Sequence, residues 1–130
     1  MRDDVEWILE NTQVWAIVGL SDNPSRAAHG VARFLQQRGK RIVPVHPAAE
    51  TVHGEQGYAS LKDIPFEVDV VDVFRRSEDA GQFADEAVEI GAKAVWFQLG
   101  VVDDEAFRRT KDAGLRMVMD VCPAIEWRGP

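Results

Sequence analysis

The residues best suited to holding an anion run Gly19-Leu20-Ser21-Asp22-Asn23-Pro24-Ser25-Arg26, between an apolar run and a helical one. Gly19 permits a tight turn and the close approach of another backbone or of a ligand. Ser21, Asn23 and Ser25 supply side-chain hydrogen bonds, and the helix that follows presents backbone N–H groups without intrahelical partners. Together they suit a phosphate or pyrophosphate, with Arg26 as a charged clamp. An ordinary strand-to-helix turn capped by Asn or Ser would use the same residues, so the spacing alone leaves both readings open.

Two further clusters follow apolar runs. Phe74-Arg75-Arg76 puts an aromatic ring beside guanidinium groups, which could stack on a base and meet a phosphate, or cap the core and face solvent. Gln98-Leu99-Gly100 offers an amide and a glycine; Gln98 could bond a ligand amide or satisfy loop backbone. A dinucleotide fingerprint, G-x-G-x-x-G, is absent: Ser21 occupies the second glycine position and Pro24 the third. The run Val43-Pro44-Val45-His46-Pro47 also lacks the acidic residue that holds the ribose of NAD, and the arginine that would hold a 2′-phosphate. These residues predict a nucleotide site poorly suited to NAD.

Catalytic groups are sparse. His29, His46 and His53 have no metal-ligand spacing, and no Gly-x-Ser-x-Gly elbow occurs. Asp69, Asp72, Asp103 and Asp104 suggest paired carboxylates, but the last two read better as helix caps. Asp72, inside an apolar run, would need hydrogen bonds or a cation such as Arg75. Cys122, before Pro123, reads either as a small core residue or as a crevice thiol able to form a mixed disulfide with a thiol ligand. We expect binding without turnover from this chain alone, with no catalytic residue and no metal.

The elements that must position these groups alternate. Apolar, β-branched runs at Val14–Val18, Arg41–Val45, Val68–Val73, Ala94–Leu99 and Arg116–Asp120 start 27, 27, 26 and 22 residues apart. They lack clean alternation, as strands buried on both faces do. Helical stripes cover Asp4–Glu10, Ala27–Arg38, a stretch from Ser77 as N-cap, and about Asp104 to Ala113. Gly39, Gly91 and Gly114 follow helices, and His46–Pro65 is irregular with one helical turn near Leu61. The pattern predicts a single α/β domain: a doubly wound, mainly parallel five-stranded sheet in the order 3-2-1-4-5 within a three-layer αβα, Rossmann-like fold. Ligands of such sheets bind beyond the carboxyl ends of the strands, where the order reverses.

Composition sets outer bounds. The chain has 130 residues, 45% hydrophobic and 28% charged, too apolar for disorder and the size of one domain. A formal charge of −7 disfavours nucleic acid and anionic membranes. Yet Ser21–Pro47 holds five basic side chains (Arg26, Arg33, Arg38, Lys40, Arg41) against Asp22 alone. No run is apolar enough to span a bilayer, the acidic Met1-Arg2-Asp3-Asp4 start is unlike a secretory signal, and the single cysteine excludes an internal disulfide. A cytoplasmic location is the expectation. Trp7 and Trp127, near the termini, are candidates to cover a contact in a homodimer or with another protein.

Five of these segments occur in order at the spacing of a known family. They are Gly19-Leu20-Ser21 with Pro24 and Arg26, Val43–Pro47, Asp69–Arg75, Val95–Gly100, and the close at Cys122. From about residue 5 to Ile125 the chain resembles the small CoA-binding domain proteins, which are similar to the N-terminal domain of the succinyl-CoA synthetase α subunit. The resemblance implies a single CoA-binding domain over residues 1–130, holding coenzyme A or an acyl-CoA by its ADP end as a stand-alone binding, carrier or regulatory module. It implies that Gly19, Ser21, Pro24 and Arg26, with Leu20, Asn23 and Ser25 in the same phosphate-binding loop, cradle the phosphates. It places Val45 and Pro47 on the adenosine side, with His46 between them as a further candidate contact, Phe74 and Arg75 beside the nucleotide, and Gln98 and Gly100 near the pantetheine. His46 departs from the family's usual Asn, so the contact at this position does not carry over from the resemblance. The synthetase's phosphohistidine segment has no counterpart here. The alternatives are a small NAD(P) oxidoreductase or a subunit completing an acyl-CoA ligase.

Overall fold

The computed structural model describes residues 1–127. In chain order the elements are α1 (Arg2–Asn11), β1 (Val14–Val18), α2 (Ala27–Gln37), β2 (Arg41–Val45), a 3₁₀ turn (Leu61–Asp63), β3 (Val70–Val73), α3 (Ser77–Glu89), β4 (Ala94–Phe97), α4 (Asp104–Asp112), β5 (Arg116–Val118) and α5 (Pro123–Glu126). β1 and β2 match their expected limits; β3 starts later, and β4 and β5 stop earlier, because the flanking residues bend into loops. α5 was not expected. Its Pro123 sits at the first helical position, where a missing N–H costs nothing.

All strand pairs are parallel. Alternate side chains divide the interior into two layers, as the two-residue period of a strand requires. Trp15, Ile17, Val70, Ala94 and Trp96 pack with α1 and α2, while Ala16, Val18, Val71, Val95 and Phe97 pack with α3 and α4. The α/β, doubly wound architecture is the one the alternation predicted.

The strand order is not. It is 2-1-3-4-5, with β3 beside β1 rather than outside β2. The outer edge of β2 is taken by the irregular segment: Tyr58 donates to Pro44 O at 2.9 Å and accepts from His46 N–H at 3.0 Å. Pro44 has no N–H, and its peptide faces this outer side, so it suits an edge strand and would disrupt an interior one. Asp69 fastens β3 to β1 instead: its N–H donates to Val14 O, and its Oδ2 accepts from the N–H groups of Gln13 and Val14. Burial opposes ionisation of Asp69, but those two N–H groups and the Lys93 ammonium outweigh it and hold the carboxyl below its usual range. Asp69 is thus a clasp at the amino end of the sheet, not half of a catalytic pair. Apolar periodicity reports burial, and cannot report which neighbour a strand has.

Ser77 is the first residue of α3 rather than its cap; Arg76 holds the cap position, and the Ser77 hydroxyl instead joins the loop after β4 by donating to Gly100 O and accepting from Val102 N–H. Asp103 does cap α4, accepting from Ala106 N–H at 3.0 Å. Trp7 and Trp127 both pack within the chain, Trp7 under Arg116 and Trp127 against Phe34, Arg38 and Lys40.

Candidate functional site

With the order 2-1-3-4-5, the winding reverses between β1 and β3, so the crevice opens where Val18 and Val73 end. Gly19 makes that corner. Its φ is +96°, its N–H donates to Val45 O at 2.8 Å, and a Cβ built there would lie 2.6 Å from Phe74 O. The close approach permitted by glycine is therefore to the neighbouring strand end. Beyond it lies a cavity of ≈ 700 Å³ walled by the starts of α2 and α3 and the loops after β2 and β4. That volume is within the range of about 300–1,000 Å³ typical of small-molecule sites.

Seven of the residues expected at a ligand line this cavity: Gly19, Ser21, Arg26, His46, Phe74, Arg75 and Gln98. The other seven do not. Leu20 turns into the core and is fully buried. Asn23 accepts from the N–H and hydroxyl of Ser25, so those two side chains and Pro24 form an exposed turn in front of α2. Val45 is buried at the end of β2, while Pro47 and Gly100 are exposed beside the cavity rather than on its wall. The lining also includes Ala27, Ala28, Val31, Arg76, Asp79, Leu99, Val101 and Cys122. The alanines and Val31 were hidden because a helix stripe reads as core whether it packs on a sheet or borders a ligand. Cys122 is buried and faces the crevice, the arrangement its sharper reading required.

The electrostatics of the mouth oppose the overall charge. α2 and α3 both begin without a side-chain cap, so their first N–H groups and dipoles are available. Of the five basic side chains in Ser21–Pro47, Arg33 bonds Gln36 and Arg38 stacks over Phe34. Lys40 donates to Leu9 O and Thr12 O, and Arg41 lies over Phe66. Arg26 alone of the five has no side-chain partner among the described residues. Arg75 is exposed and likewise unpaired among the described residues, whereas Arg76 is neutralised by Asp79 at 3.1 Å.

His46 has a clear local role. Its Nδ1 accepts from the N–H of Ala48 at 3.1 Å. An Asn side chain makes this same contact two residues ahead in an Asx-turn. The imidazole thus replaces an amide oxygen at the turn, with its Nε2 free to donate in the neutral ring.

Beneath the floor lies Asp72, fully buried between Ile17 and Trp96 of the adjoining strands, with neither carboxylate oxygen bonded among the described residues. The expected partner, Arg75, is out in solvent instead. Burial alone pushes the Asp72 carboxyl well above the usual carboxylate range. Above the ordinary pKa the unfolded chain has released this proton while the folded chain keeps it. Stability must therefore fall as pH rises from the ordinary range towards the raised one. Asp72→Asn removes that loss, so its melting temperature relative to wild type is expected to climb between pH 4 and pH 7. A difference that is flat with pH would show that Asp72 ionises inside the fold.

Among the described residues no cluster of three His, Cys, Asp or Glu could hold a metal, and no helix is long and apolar enough to cross a membrane. Over 121 residues the chain is 39% identical to the uncharacterized protein YneT of Bacillus subtilis (strain 168), covering 93% of this chain and 90% of that protein. It is 30% identical over 102 residues to subunit alpha of the ADP-forming acetate–CoA ligase II of Pyrococcus furiosus, covering 78% of this chain but only 21% of that subunit. The solved structure of a hypothetical protein from Pyrococcus horikoshii OT3 superposes with a TM-score of 0.90 at 35% identity, covering 97% of this chain and 89% of that one. A family model described as a CoA binding domain matches residues 13–128. Fold, crevice and these likenesses agree, and the chain belongs to the CoA-binding domain family.

Proposed function

We propose that this protein binds coenzyme A or an acyl-CoA through its ADP-pyrophosphate end, as a binding, carrier or regulatory module without chemistry of its own. The observation that carries the reading is the unpaired Arg26 beside the uncapped start of α2, at the point where the sheet reverses. A diphosphate there would accept from the first α2 amides and from the guanidinium. Ser21 adds a hydroxyl, and Gly19 keeps the corner open. Arg75, exposed on the same wall, would meet a further phosphate, and Phe74, half-buried against the core, would offer ring surface to the nucleotide. Asn23, Pro24 and Ser25 would act through the turn in front of α2, and Pro47 and Gly100 through the shape of the rim, while Leu20 and Val45 support the site only from the core.

Calorimetric titration with CoA, dephospho-CoA, NAD and NADP tests this reading. CoA should bind most tightly, since β2 ends Val45-His46-Pro47 with no carboxylate for a free ribose. Tight NAD binding in the absence of CoA binding would overturn it. Arg26→Ala should weaken CoA by about 1.5–3 kcal/mol, the range for a hydrogen bond to a charged group. Unchanged affinity would remove Arg26 from the site.

The likeness to the acetate–CoA ligase subunit favours a second reading, in which this domain completes a ligase with another polypeptide. Co-purification of a nucleotide-binding partner, with ATP formed from acyl-CoA, ADP and phosphate only in the mixture, would establish it.

A further inference from the structure

Asp72 and Gln98 hold three of the four buried side-chain oxygens that lack a hydrogen-bond partner among the described residues, the fourth being Thr110 Oγ1. Both are at least nine-tenths buried, and the three oxygens are both of Asp72 and Oε1 of Gln98. Such groups are costly, and each calls for an explanation.

Their positions are related. Asp72 pairs in register with Trp96, and Gln98 follows two residues later, its N–H still bonded to Val73 O at 3.2 Å. The two side chains therefore leave neighbouring strands on the same face as diagonal neighbours, a separation that a long side chain can bridge. Gln98 lines the crevice and Asp72 lies below it.

We propose that Asp72 is a positioning residue for Gln98: when a ligand fills the crevice, the Asp72 carboxyl O–H donates to Gln98 Oε1 and turns the Gln98 NH₂ towards a carbonyl oxygen of the ligand's non-nucleotide arm. The ligand class selected is a nucleotide carrying an amide- or thioester-bearing chain, as against the bare nucleotide. This rests on the CoA reading above and adds how the arm is recognised. The chemistry fits the surroundings. An amide has both a donor and an acceptor end, and a ligand carbonyl can use only the donor. A side chain that can donate to Gln98 Oε1 fixes which end faces the cavity. Ile17 and Trp96, flanking Asp72, exclude water that would otherwise compete for that bond.

The test is calorimetry with CoA and with adenosine 3′,5′-bisphosphate, which keeps the nucleotide end and lacks the arm. Asp72→Leu and Gln98→Leu should each weaken CoA about tenfold and leave the bisphosphate unchanged, and the double variant should be no worse than either alone. Asp72→Asn, which retains an N–H donor, should bind CoA nearly as wild type does. The inference is overturned if folded Asp72→Leu keeps full CoA affinity, or if both ligands weaken together. It is equally overturned if Asp72→Asn is as impaired as Asp72→Leu. Wild-type protein that binds neither ligand would instead remove the CoA reading itself.

Discussion

Gly19→Val is expected to destabilise the protein by about 3–5 kcal/mol, seen as a lower denaturant midpoint with an unchanged slope. Two costs combine. A β-branched residue at φ +96° is strained by its own backbone. Its Cβ would also meet Phe74 O, which cannot withdraw because Phe74 N–H is bonded to Val18 O at 2.9 Å. The end of β3 must move, and with it Phe74 and Arg75 on the crevice wall. Gly19→Ala should show the same direction with a smaller loss. A valine variant within about 0.5 kcal/mol of wild type, the range of an ordinary surface change, would mean that β1 and β3 do not meet at this corner.

Trp96→Ala should cost about 3–5 kcal/mol, as for large aromatic truncations in a packed core. Trp96 is fully buried, its ring centroid 5.4 Å from that of Trp15, and its Nε1 donates to Val121 O at 2.9 Å. That bond anchors the segment leading to Cys122, so truncation should loosen one wall of the crevice as well as the core. Trp96→Phe separates the two contributions: it restores most of the volume but leaves the Val121 carbonyl unpaired, for a loss of about 1–2 kcal/mol. Equal losses for the two variants would assign the whole effect to the hydrogen bond.

The sequence was most legible where one physical cause dominates. β1 and β2 were bounded correctly because Thr12-Gln13 and Gly39-Lys40 interrupt the apolar runs on one side and Gly19 and Pro47 do so on the other. Half of the expected ligand residues line the crevice because they follow strands, and strand ends converge whatever the lateral order. Leu20 faces the core rather than the crevice, because a residue after a tight glycine turn can point either way and only the packing against α2 decides. The position of β3 was beyond reach of periodicity, although Pro44 carried a clue: a residue without an N–H is at home on the rim of a sheet. Asp72 was recognisable as unusual. Its lack of any partner was not, since that depends on what the adjoining strands place around it.

The rim at β2 also bears on how the molecule behaves in a crowd. A parallel sheet with a bare flank invites a neighbour's backbone to add itself and begin a fibre. Here Pro44 offers no amide on that flank, and Tyr58 already occupies the place an intruding chain would take. At the far flank β5 is only three residues long. The fold thus terminates its own sheet on both sides, and concentrated solutions should resist growth by strand addition.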